Sequence, residues 1–138
     1  MNHYCCGVLR DHGPNPYVAK INKEAIQNVN FRTVIWSGQY AQMTLMCIPK
    51  GLDIGLEIHE DTDQFIRIEQ GTAIVKMGHQ KDILDHCWNV CVGDVIFVPA
   101  GTWHNVINNG NVELKLSVVY ARPHHPAGTI HCTKIDAE

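Results

Sequence analysis

Glu57 and His59 stand one residue apart in the stretch GLEIHEDTDQ, residues 55–64, between apolar segments. In an extended chain alternate side chains share a face. The carboxylate and the imidazole therefore lie together, with Leu56 and Ile58 opposite. On a solvent face the pair is unremarkable chemistry. In an interior it requires a proton or a metal ion, because an uncompensated buried charge is strongly destabilising. A second segment, GDVIFVPAGTWHNVIN (93–108), carries His104. Its Pro-Ala-Gly reversal leads into a strand that places Thr102, His104 and Val106 on one face and Trp103, Asn105 and Ile107 on the other. A single histidine on such a strand is a packing residue or a ligand.

Other reactive side chains form weaker patterns. Cys87 and Cys91 in CWNVC, beside His86, have the wrong spacing for a zinc site and read as a loop and strand edge. Glu60, Asp61 and Asp63 read as a solvated acidic turn. His124, His125 and His131 lie between prolines in RPHHPAGTIH, a composition typical of surface, although a tail of this kind leaving the last strand could fold over a barrel mouth.

The elements that would position these residues are short and β-rich. About eight apolar runs (31–36, 42–48, 55–59, 64–69, 73–77, 95–98, 104–107 and 114–120) are separated by Gly, Pro and Asn turns, and only 20–28 reads as a short helix. Such spacing without intervening helices specifies an all-β sandwich or barrel. The chain has 138 residues, 45% of them hydrophobic, and a formal charge of −3. That is enough chain for one domain with its own core. No basic stripe or nucleic-acid motif is present, no apolar run approaches the roughly 18 residues of a membrane span, and no signal peptide pattern opens the chain. The six cysteines contain no CxxC, so reduced thiols and a cytoplasmic location are expected.

The two segments together resemble the cupin superfamily. Its second motif, G-x5-P-x-G-x2-H-x3-N, is met at Gly93, Pro99, Gly101, His104 and Asn108. The spacing of its first motif, G-x5-H-x-H-x4-E-x6-G, is kept from Gly51 through positions 57, 59 and 64 to Gly71. Glu57 stands for the first histidine, however, and Gln64 for the family's glutamate. The resemblance implies a double-stranded β-helix, a jelly-roll barrel over about 31–122 with arms at 1–30 and 123–138, in a single domain. It also implies that Glu57, His59, Gln64 and His104 converge on one divalent transition metal ion: Mn, Fe, Ni, Co or Zn. Glu57 would supply the acid that Gln64 removes. A one-residue slip would turn Asp63 inward in place of Gln64, but alternation with Phe65, Arg67 and Glu69 keeps Gln64, Ile66 and Ile68 inside. By strand parity Gln42, Thr44, Met46 and Tyr120 are pocket-lining, and Cys47 faces the other way.

The reaction is less constrained than the fold. Metal-dependent isomerisation of a sugar or sugar phosphate, as in mannose-6-phosphate isomerase-like cupins, is the first expectation. A mononuclear dioxygenase and a non-catalytic small-ligand module are the alternatives. Phosphate recognition has no obvious source near the motifs beyond Lys50, Arg67 and Arg122. The expected partners are a small-molecule ligand and a second copy of the chain, paired through the edge strand FRTVIW.

Overall fold

The structure, a computed structural model, describes residues 9–138; Cys5 and Cys6 lie outside the described residues. Helix α1 (Ile21–Gln27) precedes strands β1 (Arg32–Ser37), β2 (Gln42–Ile48), β3 (Asp63–Gln70), β4 (Thr72–Gly78), β5 (His86–Cys91), β6 (Val95–Val98), β7 (Trp103–Asn108), β8 (Leu114–Ala121) and β9 (Ile130–His131), and a terminal turn α2 (Lys134–Ala137) follows. The strands form two antiparallel sheets, in the orders β6-β3-β8-β2-β1-β9 and β5-β4-β7. Their inner faces share one apolar core, in which Ile66, Ile68, Leu116 and Val118 of the large sheet meet Ala73, Val75 and Val106 of the small one. This is the double-stranded β-helix.

The register sets the polarity of the interior. Across the large sheet, Gln42, Tyr120, Gln64 and Val98 form one inward row. The next row is Thr44, Val118, Ile66 and Ile96, and the third is Met46, Leu116 and Ile68. All are buried. Polar groups therefore occupy one end of the barrel, and branched aliphatic side chains, each contributing about 1.5–3 kcal/mol on full burial, fill the middle. The small sheet follows the same gradient, with His104 opposite Met77 and Val106 opposite Val75.

The outer face of the large sheet is covered as well. Helix α1 packs there through Ala25 against Ile35 and Leu45, with Leu9, Ile21 and Met43 around them. This cover explains why Cys47 and Glu69, both on the outer face, are buried. Cys47 donates to Glu113, and burial pushes its thiol up to about 11.

Four expectations need correction. Residues 55–59 are not a strand; Glu57 only makes an isolated bridge to His104. Residues 86–91 form a full strand, with Cys87 and Cys91 free and exposed. The edge of FRTVIW is not open to a partner, because β9 pairs with it at Arg32 and Thr33 and Val34 donates to the Thr129 carbonyl. Cys132 is disulfide-bonded, so the thiols are not all reduced.

Candidate metal centre

Glu57 and His104 face each other across a pair of backbone hydrogen bonds, Glu57 N–H to the His104 carbonyl at 3.0 Å and His104 N–H to the Glu57 carbonyl at 2.9 Å. Directly opposed residues of an antiparallel bridge share a face, so both side chains enter the barrel. His59, two residues along, joins them. Its carbonyl accepts from the Gly101 N–H at 2.8 Å, which ties the first segment to the turn that starts β7. Gly101 has φ +78°, a left-handed conformation that glycine adopts without strain. The reversal that aims His104 inward depends on it.

The donor atoms converge. Nε2 of His59 lies 3.3 Å and Nε2 of His104 3.4 Å from the same Glu57 oxygen, Oε1, and the ligand atoms of all three residues fall within 4.8 Å of one another. His104 is fully buried and His59 nearly so. The His104 ring donates through Nδ1 to the Thr102 carbonyl at 3.0 Å. In the neutral ring that fixes the proton on Nδ1 and leaves an Nε2 lone pair, the tautomer of a metal-ligating histidine.

None of these inner atoms is satisfied. His59 Nε2, His104 Nε2 and Gln64 Oε1 are buried without a hydrogen-bond partner; both rings approach Glu57 without the alignment of a hydrogen bond. Burial would raise the Glu57 carboxyl, but contact with His104 and His59 outweighs it and holds the group down to about 2. The site thus favours positive charge between these groups, and orphaned buried acceptors are uncommon in folded chains. Two imidazoles and a carboxylate fit a borderline divalent ion with positions left open.

Gln64 faces inward beside Tyr120. Asp63 is exposed, and its Oδ1 accepts from the Ala100 N–H at 2.9 Å. Asn108, a motif residue, builds the following turn: its amide donates to the Ile48 and Val112 carbonyls and its oxygen accepts from Gly110. Tyr120 is buried, and burial pushes its phenol up to about 12. Met46 belongs to the apolar core, and the Thr44 hydroxyl is buried without a partner.

The segment after β8 returns over the barrel mouth. Gln42 fastens it, with Oε1 accepting from the His124 and His125 N–H groups and Nε2 donating to the His125 carbonyl and to Ser37 Oγ. The four contacts use its full amide capacity. The His124 ring lies 4.2 Å from that of His59 and 5.5 Å from that of Tyr120. His125 Nε2 is 3.3 Å from the Tyr120 hydroxyl.

Sequence reasoning missed Arg32. It is 5% exposed, on the inner side of β1, and its Nη1 donates to His131 Nδ1 at 3.1 Å. The available signal was one charge inside the apolar run FRTVIW.

Comparison with known proteins gives the same fold and close relatives. Residues 44–120 match the Cupin domain family. The uncharacterized protein YrkC of Bacillus subtilis (strain 168) is 57% identical over 130 residues, covering 94% of this chain and 70% of its own length. The uncharacterized protein L612 of Acanthamoeba polyphaga mimivirus is 43% identical over 115 residues, covering 83% of this chain and 70% of its own. The crystal structure of BH2720 from Bacillus halodurans superposes with a TM-score of 0.93 at 50% identity, covering 94% of this chain and 98% of that one. With its matched span, its paired motifs and its two-sheet barrel, the chain belongs to the cupin family.

Proposed function

We propose that Glu57, His59 and His104 hold one divalent transition metal ion (Mn, Fe, Ni, Co or Zn), with Gln64 beside it, and that the protein isomerises a small polar substrate such as a sugar or sugar phosphate. The observation that carries the reading is the pair of unpartnered buried Nε2 atoms aimed at a single carboxylate oxygen. When bound, such an ion acts as a Lewis acid on a substrate oxygen. The surrounding residues support proton movement. The Tyr120 phenol, with its raised pKa, keeps its proton at neutral pH and serves as a donor. His124, whose packing against His59 and its neighbours lowers its pKa, is a neutral ring able to accept a proton.

The test is elemental analysis of the purified protein followed by solvent-deuterium exchange into an aldose phosphate. Stoichiometric metal with exchange is expected. Metal with oxygen uptake on a diphenol or diketone, and no exchange, replaces the isomerase by the dioxygenase reading. Metal with saturable binding and no turnover leaves a non-catalytic ligand module.

The homodimer remains part of the proposal, through a different surface. With β1 covered, exposed Phe65, Trp88, Val95 and Phe97 supply apolar area around the β3–β6 edge and β5. Light scattering at micromolar concentration should give twice the chain mass, and a monomer overturns it.

A further inference from the structure

A cavity of about 390 Å³ opens beside the metal-ligand cluster, with Arg32, Glu57, His125 and His131 in its wall. That volume suits a small ligand. Arg32 is the unusual member. Its guanidinium is 5% exposed and its Nε has no partner. Among the described residues no carboxylate lies within ion-pair distance of it; the six ion pairs present all involve other cations. A buried cation without a counter-ion is costly unless something anionic completes it. The other cation of the wall, Lys134, already pairs with Asp53.

We propose that this cavity is an oxyanion subsite, in which Arg32 and His131 bind a carboxylate or phosphate group of a small ligand. An arginine only donates, so the His131 Nδ1 that faces Arg32 is an acceptor. The neutral His131 ring then carries its proton on Nε2 and offers a second donor. The planar fork of Arg32, with Nε still unpaired, matches the two oxygens of a carboxylate or phosphate. Two acids, Glu57 and Glu138, also line the cavity. Glu57 is turned to the imidazoles of His59 and His104, and Glu138 is exposed. Since Glu57 belongs to both the cavity and the donor cluster, a ligand anchored at Arg32 would extend toward that cluster. This last step rests on the metal reading; the anion subsite does not.

The experiment titrates inorganic phosphate and malonate separately into the full-length, chelator-treated protein by isothermal calorimetry at constant ionic strength. Saturable binding of at least one anion is expected. Arg32→Met should weaken it about tenfold or more, the loss typical of a charge-assisted hydrogen bond, and Arg32→Lys should fall between. Tighter phosphate assigns a phosphorylated ligand, and tighter malonate a carboxylic acid. If Arg32→Met fails to fold by circular dichroism, His131→Phe keeps Arg32 and removes the second donor, and should weaken binding several-fold. No saturable binding of either anion, or binding unchanged in the folded variants, overturns the proposal. His104→Ala should keep the anion while losing metal, which separates failure of the subsite from failure of the metal site.

Discussion

Two glutamates are drawn out of bulk solvent by this fold, and their surroundings differ in kind. Glu69, on the covered outer face, receives Asn22 Nδ2 at 2.9 Å on one oxygen and Ser117 Oγ at 2.7 Å on the other, with Arg67 Nε at 3.5 Å. Its neighbours are permanent donors from the chain itself. Glu57 faces two imidazole nitrogens that are donors only when protonated and are ligands otherwise. A satisfied buried carboxylate holds structure together. One whose partners are left with unpaired atoms waits for something from outside.

The sharpest break of this comparison is removal of the imidazoles. His59→Ala or His104→Ala should each abolish stoichiometric metal by elemental analysis, while the β-rich circular-dichroism spectrum persists. Next come the two glutamates exchanged for glutamine. Glu57→Gln should weaken metal binding strongly with little loss of stability in denaturant. Glu69→Gln should leave metal content unchanged and lower stability by about 2 kcal/mol, the scale of a lost hydrogen bond to a charged group. The comparison fails if both variants lose metal equally, or if Asp63→Asn rather than Glu57→Gln removes the ion. Gln64→Ala should weaken metal only modestly, because an amide is a poor ligand and more useful toward metal-bound water.

A pH effect on stability should come from Asp11, far from the metal cluster. Burial alone would raise its carboxyl, but hydrogen bonds from Ser37, Gly128 and Gly13 together prevail and lower it. A depressed folded-state pKa adds stability above the ordinary carboxylate range and loses it as pH falls through the lowered value. Urea midpoints should therefore drop less between pH 7 and acid in Asp11→Asn than in the wild type. Equal drops would show that Asp11 contributes nothing to the acid limb.

Much of the cluster was legible because strand parity is local. The backbone between 55 and 59 makes no strand, yet one bridge between Glu57 and His104 preserves the alternation that puts Glu57, His59 and His104 together. Asp63 and Gln64 could be told apart for the same reason. The burial of Glu69 was not legible, since a register irregularity at Ile68/Gln70 and a covering helix decide it. Arg32 escaped for a different reason. Parity could place it inward, but nothing local tells that an inward arginine will meet a histidine 99 residues away.

That separation also orders events in time. The metal-ligand residues at 57, 59 and 104 leave the ribosome before His131 is made, and β9 joins β1 through only two residue pairs. Closing so long a loop carries an entropic penalty that local hairpins avoid, so the seam between β1 and β9 is expected to form after the hairpins. A nascent chain would then present its three converging ligands while the Arg32–His131 wall is still missing. An ion can be loaded into an open vestibule, and the finished wall then restricts what may follow it.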